Sequence, residues 1–266
     1  MILLKPTDPA RQAFSAWSRR TWRNVSDRIS GDAFATERDA ESLTFLISSV
    51  NSPLDRRLPC IDPQLFNNKR VNLRLAIEHL DGILIHPGET FSFWRLVGPP
   101  SRGRGYLDGL TIAGGSPGRG VGGGLCQLSN ALFWLSLHSD LTVIERHRHS
   151  FDLFPDNGRT VPFGTGATVV YNYKDLRLLN PTKDTFQFRF QLNPDTLSVR
   201  LLCSSEPAHC FELIERHHRF EQVGEDYFRS NEILRRRWSL TKELTEEKSI
   251  LKNYCRCRYK PSEVMT

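Results

Sequence analysis

The chain of 266 residues has no apolar run near the roughly 20 residues that a membrane-crossing helix needs. Its start, MILLKPTDPARQAFSAW, offers four apolar side chains and then Lys5-Pro6 and Asp8-Pro9. The charged start and the apolar segment of about 7 to 15 residues that mark a secretory leader are missing. A cytoplasmic location is the expectation. The chain also lacks internal repeats and a clear linker, which argues against a solenoid and against two widely separated domains. Metal-spaced cysteine pairs are missing too. The six cysteines are Cys60, Cys126, Cys203, Cys210, Cys255 and Cys257. Their gaps do not fit the two-residue spacing of paired zinc ligands, so no metal and no cofactor is expected. Without an oxidising compartment they read as reduced thiols.

What is present begins with charge. The net charge is +6, carried mainly by arginine. The first 30 residues hold Lys5, Arg11, Arg19, Arg20, Arg23 and Arg28 against Asp8 and Asp27, with Phe14, Trp17 and Trp22 among them. A basic amphipathic helix with aromatics can lie on an anionic membrane surface. The plainer expectation packs Phe14 and Trp17 onto the domain and leaves the arginines in water. No nucleic-acid partner is expected, because no reading motif accompanies the charge.

Hydrophobic spacing predicts a helix to about residue 30, started near Thr7-Asp8-Pro9, and a second over Thr36 to Ser49. Asn51 to Pro63 reads as a loop. Asn68 to Gly82 reads as an amphipathic helix with Asn72 as a plausible cap. Turn residues crowd His86 to Gly124, including Gly114-Gly115, around a short strand at Leu110 to Ala113. Leu125 to His138 is apolar nearly all round and predicts a buried helix. Leu141 to Glu145 then reads as a strand. From Gly166 the pattern is β: Ala167 to Tyr173, Leu176 to Leu179, Thr185 to Leu192, Thr196 to Cys203, and a hairpin of Cys210 to Phe220 with Tyr227 to Leu234. Phe186, Phe188 and Phe190 alternate with Gln187, Arg189 and Gln191, the mark of a half-buried antiparallel strand. The tail from Leu240 reads as polar and partly mobile. The expected fold is α+β: N-terminal helices, a buried central helix, and a C-terminal antiparallel β-meander. The expected parts are a helical extension over 1–65, a core over 66–204, and a β-hairpin appendage with tail over 205–266.

Chemistry concentrates in Gly122-Gly123-Gly124-Leu125-Cys126-Gln127-Leu128-Ser129-Asn130 and in Glu145-Arg146-His147-Arg148-His149-Ser150. A thiol at a helix start feels the positive helix end, which favours thiolate. An imidazole can shuttle its proton. Cys126 is therefore the candidate nucleophile; the alternative is a small apolar residue packed at a helix start. His147 and His149, two apart, would share one face of a strand. Either can be the base, with His149 preferred, and one can instead be structural. Gly123 and Gly124 are expected to allow close approach of substrate. Gln127, Asn130 and the Cys126 N–H are candidate donors to an oxyanion or a peptide carbonyl. Arg95 can clamp a substrate carboxylate, or make a surface ion pair. Asp175 can orient a histidine, or cap a turn.

The run GGGLCQLSNALFWLSLH with LTVIERHRHS closely resembles the VanW family. The resemblance continues through VNLRLAIEHLDGILIHPGETFSFWRLVG upstream and GATVVYNYKDLRLLNPT downstream. It implies a link to glycopeptide resistance. In members fused to cell-wall-binding modules it implies L,D-transpeptidase-like cross-linking through the cysteine that matches Cys126. The implied partner is a small peptide or cell-wall precursor. Many members carry an Asp directly before Ala-Thr-Val, where this chain has Gly166; either Asp152 or Asp156 substitutes, or a dyad suffices. The leading expectation is a cysteine acyltransferase or hydrolase. The second is a non-catalytic binding protein using the same glycine-rich region. A redox or metal-sensing role for the cysteines is the third.

Overall fold

The computed structural model describes residues 9–54, 62–113, 116–149, 151–153, 155–156 and 160–261, with backbone alone for 9–16, 112–113 and 116–117. Thr7-Asp8, Cys60, Gly114-Gly115 and Ser150 fall outside the described residues, as does the Phe14 side chain. In chain order the helices are α1 (Pro9–Ile29), α2 (Pro63–Leu80), α3 (Phe93–Val97) and α4 (Cys126–Ser136). The strands are β1 (Phe45–Pro53), β2 (Leu84–Ile85), β3 (Thr90–Ser92), β4 (Asp108–Ala113), β5 (Ser116–Val121), β6 (Thr142–Glu145) and β7 (Phe151–Asp152). They continue as β8 (Arg177–Leu179), β9 (Phe186–Leu192), β10 (Thr196–Cys203), β11 (His209–Val223), β12 (Asp226–Ser239) and β13 (Leu244–Cys257). The fold is α+β, as expected.

One antiparallel sheet has the order β1-β10-β9-β2. Helix α4 packs on it, burying Leu128, Leu132, Phe133 and Leu135 among Phe91, Phe93, Phe188, Val199 and Leu201. A small sheet, β3-β8-β6, lies beside α4, and the long strands β11, β12 and β13 form a meander with β7 added in parallel at its edge. The tail expected to be mobile is therefore mostly β13. Its pairing with β12 decides this: Asn253 donates to Asn231 at 2.8 Å, and Ile233 faces Leu251.

Helix α2 starts earlier than its periodicity suggested. Asp62 caps it by accepting from Gln64 N at 2.9 Å, and Pro63 takes the first helical position, where its missing N–H costs nothing. Asn72 is not a cap; it is fully buried in mid-helix. The stretch expected as a helix over Thr36 to Ser49 is extended instead. Its later part is β1, paired along β10. Its earlier part lies across β9, whose side chains bind its carbonyls: Gln187 reaches Glu41 O at 2.9 Å and Arg189 reaches Ala40 O at 2.8 Å. Long-range pairing overrides the helical spacing of Ala40, Leu43 and Ile47.

Helix α1 docks the opposite way round from the plainer expectation. Its polar side faces the protein. Arg23 makes a two-pronged pair with Glu145 at 2.6 and 2.7 Å, and Asp27 receives both ends of Arg177 at 2.8 and 2.6 Å. Arg20 donates to Tyr171 O at 3.1 Å, and Arg19 lies 4.7 Å above the Tyr173 ring. Trp22 and Ile29 are 74 % and 78 % exposed, and Val25 is exposed with them. The surface under α1 is charged, so it selects the arginines rather than the tryptophans.

Burial pushes the Glu145 carboxyl up, but hydrogen bonds from Arg23, from the Asp175 N–H and from His147 win and hold it near 2, against an ordinary 4.5. A carboxyl held below its unfolded value stabilises the fold fully above pH 4.5 and loses that contribution as pH falls toward 2. Arg23→Ala is expected to cost about 1–3 kcal/mol at pH 7, with the cost shrinking as pH approaches 2. Urea unfolding of both proteins across that range checks it; an equal cost at all pH values contradicts it.

Candidate functional site

The start of α4 is shaped by backbone packing. Gly122 and Gly124 adopt φ of +75° and +98°, which other L-residues rarely hold. Gly123 lies against Gly109 so closely that a Cβ on it would sit 2.2 Å from the Gly109 carbonyl carbon. A Cβ on Gly124 would meet Lys69 Cγ at 2.5 Å. Both glycines thus serve close packing of protein on protein. Asn72 braces the loop from below: it donates to Gly123 O at 3.0 Å and Leu107 O at 2.9 Å, and accepts from Leu107 N at 2.8 Å. The helix then opens at Cys126. Gln127 N and Leu128 N turn back to Gly124 O and Leu125 O, while the Cys126 N–H takes no backbone partner among the described residues.

The stretch Ala167 to Tyr173, expected as strand, forms no ladder, and only Val170 makes an isolated bridge, to Lys174; residues 166–169 pass over α4. Side chains of α4 hold their backbone instead. The Cys126 thiol donates to Val169 O at 3.8 Å, Ser129 Oγ donates to Ala167 O at 2.7 Å, and Ala167 N donates to Asn130 Oδ1 at 2.7 Å. Thr168 N donates to His147 O at 2.7 Å. Cys126 and Asn130, four apart, share one helix face toward this segment.

His149 joins the same segment. Its Nε2 lies 3.3 Å from Asn130 Oδ1 and its Nδ1 lies 2.9 Å from Thr168 Oγ1. The Ala167 N–H fixes Oδ1 of Asn130 as the acceptor, so in the neutral ring Nε2 carries the proton and Nδ1 holds the basic lone pair. His147 goes elsewhere, with Nε2 2.9 Å from Glu145 Oε1, in the charged group under α1. The two histidines do not share a face, because β6 ends at Glu145 and the chain leaves strand geometry there. A groove of about 860 Å³ between Trp22, Arg23, Glu145, Tyr173 and Arg177 lies on the His147 side.

Burial pushes the Cys126 thiol up, and the Lys174 charge does not offset it. The resting sulfur is therefore neutral, where the helix-start position alone predicted a thiolate.

The remaining candidates separate. The Gln127 amide donates to Ser52 Oγ at 2.7 Å and to Pro53 O at 2.9 Å, tying α4 to the end of β1. Arg95 is exposed and its guanidinium lies 4.3 Å over the Phe34 ring. Asp175 is fully buried and takes the capping role: it accepts from Ser92 Oγ at 2.5 Å, from Trp94 N at 3.0 Å at the start of α3, and from Arg177 at 3.2 Å. Asp152 and Asp156 both bind Arg229, at 3.0 and 2.7 Å. Gly166 stands beside the imidazole; a Cβ there would lie 3.0 Å from His149 Cδ2 and 2.9 Å from Asn130 Oδ1. Two neighbours were absent from the sequence reading of the site: Thr168, for which spacing gives no signal, and Arg146. Arg146 lay inside the histidine motif, passed over between two more suggestive residues. No group of three or more His, Cys, Asp or Glu suited to a metal occurs among the described residues.

A family model described as "VanW like protein" matches residues 68–202. The chain belongs to the VanW family. The match runs from α2 to β10 and contains Cys126, Asn130, His149 and Gly166. The chain is 31% identical over 252 residues to the "Vancomycin B-type resistance protein VanW" of Enterococcus faecalis, covering 94% of this chain and 90% of that protein. It is 35% identical over 136 residues to the "Uncharacterized protein YoaR" of Bacillus subtilis, covering 50% of this chain and 42% of that one. No solved structure matches. No helix among the described residues is long and apolar enough to cross a membrane.

Proposed function

We propose that this VanW-family chain is a cysteine-dependent acyltransferase or hydrolase acting on a peptide or amide related to cell-wall precursors. The observation that carries the reading is the convergence of Cys126, Asn130 and His149 on residues 166–169. In the proposed step the Thr168 hydroxyl turns away from Nδ1 of His149, and the freed lone pair takes the Cys126 thiol proton as sulfur attacks the substrate carbonyl. The carbon–nitrogen bond breaks, the departing amine takes the proton, and a thioester remains. An acceptor amine or water then resolves it. A neutral resting thiol suits this general-base route, which deprotonates sulfur only when substrate is present. The Cys126 N–H and the start of α4 supply an oxyanion donor. The link to glycopeptide resistance comes from the named relative. The raised thiol pKa equally favours the second reading, a binding protein in which Cys126 is packed and inert.

The N-acetylalanine p-nitrophenyl ester separates the two readings. Intact mass is expected to show one acyl group on Cys126, formed on the order of 100-fold more slowly in His149→Ala and nearly unchanged in His147→Ala. Absence of acylation in the parent, or an unchanged rate in His149→Ala, refutes the catalytic reading.

We further propose that the outward face of α1 contacts an anionic bilayer surface. Trp22, Val25 and Ile29 share that face at helical spacing, with Arg19 and Arg28 on its two flanks. Apolar side chains flanked by cations, on a chain of charge +6, match an anionic interface. Flotation is expected with phosphatidylcholine vesicles containing phosphatidylglycerol and not with phosphatidylcholine alone. Combined Trp22→Ser and Ile29→Ser is expected to weaken it on the order of tenfold or more. Equal flotation by the variant, or none by the parent, rejects the proposal.

A further inference from the structure

Arg146 is a partly buried cation without an acid. Its Nε and Nη2 donate to Gly166 O at 2.9 and 2.8 Å, and Nη2 also reaches Gly164 O at 2.5 Å. Its guanidinium lies 4.6 Å over the Phe133 ring. Among the described residues it makes no ion pair, and Nη1 takes no hydrogen bond. The two buried arginines are matched by carboxylates, Arg177 by Asp27 and Asp175 and Arg229 by Asp152 and Asp156, whereas among the described residues the partly buried Arg104 and Arg235 share with Arg146 the lack of an ion pair. Burial and the like charge of Arg148 pull the Arg146 pKa down to about 10. A cation kept under those conditions has an incomplete set of partners.

Its place relative to the thiol is set by α4. Cys126 meets Val169, Asn130 meets Ala167 and His149, and Phe133 underlies Arg146. These are positions i, i+4 and i+7 of one helix face, spanning about 10 Å at 1.5 Å per residue. Along the α4 axis the residues that meet Val169, His149 and Arg146 therefore follow one another, with the one under the guanidinium at the far end. About 10 Å is the length of roughly three extended residues.

We propose that Arg146, and not Arg95, is the carboxylate-recognition group of this site. Its ligand class is a short peptide whose free C-terminal carboxylate lies about three residues from the carbonyl placed at Cys126. The carboxylate binds the two N–H groups of Nη1, while Nε and Nη2, bonded to Gly164 and Gly166, hold the guanidinium in position. The placement of the attacked carbonyl rests on the proposed role of Cys126; the carboxylate contact does not.

The probes are N-acetyltrialanine as the free acid and as the C-terminal amide, titrated into the full chain and followed by NMR chemical-shift changes. The acid is expected to shift the signals of residues 146–149 and 164–169, and to bind about tenfold or more tighter than the amide. Arg146→Gln is expected to abolish that preference. Arg146→Lys, which keeps the charge but not the anchoring to Gly164 and Gly166, is expected to retain part of it. Cys126→Ser is expected to keep it in full, and absence of ester acylation in the parent with an intact carboxylate preference would fault the nucleophile alone. Equal binding of acid and amide, no binding of either, or an undiminished preference in a folded Arg146→Gln would overturn the proposal.

Discussion

The backbone of residues 166–169 is the constraint on which the candidate site depends. A segment passing over a buried helix must satisfy its N–H and C=O groups without water. Here Ser129, Asn130 and Cys126 satisfy them from α4, and His147 supplies a carbonyl from the other side. The helix thereby sets the height and register of the segment that carries Thr168 and abuts His149. A side chain at 166 would disturb this, since even a Cβ presses on Asn130 and the imidazole. Position 166 offers no acidic group to His149, and Asn130 and Thr168 are among the partners that orient the imidazole.

A second layer of polar contacts holds α1 on the opposite side of the same motif. Glu145 is its hub, receiving Arg23, His147, the Asp175 N–H and, at 3.5 Å, Arg177. Residues 145 to 149 thus face two ways. Glu145 and His147 serve the docking of α1, and Arg146 and His149 serve the surface of α4. This division explains how one short motif feeds both a structural strap and a reactive cluster, and why the strap turns the apolar side of α1 outward.

Much of this was legible in the chain. The stripe of Leu125, Leu128, Leu132 and Leu135 announced a buried helix, and the alternation at Phe186, Phe188 and Phe190 announced β9. Cys126, Asn130 and His149 were readable as candidates from residue type and place. What escaped depends on distant partners. Residues 36–44 look helical, yet Gln187 and Arg189 pull them across β9. The tail looks polar and loose, yet β12 gives it a ladder. The glycines before Cys126 suggested room for a ligand, whereas Gly109 and Lys69 fill the space. The helix start suggested a thiolate, whereas burial outweighs the backbone hydrogen bonds and the Lys174 charge and pushes the thiol pKa up. Arg146 could not be singled out, because its lack of a counter-charge is visible only when every neighbour is in place.

The central claim is that Cys126, Asn130 and His149 act as one unit through residues 166–169. A double-mutant cycle of Asn130→Ala and His149→Ala, read as the rate of thiol modification at Cys126, tests it most directly. The account predicts strong non-additivity, with the second change adding little once the first has released the imidazole. Effects that add to within about 0.5 kcal/mol would mean that the two residues act independently, and the account would be wrong.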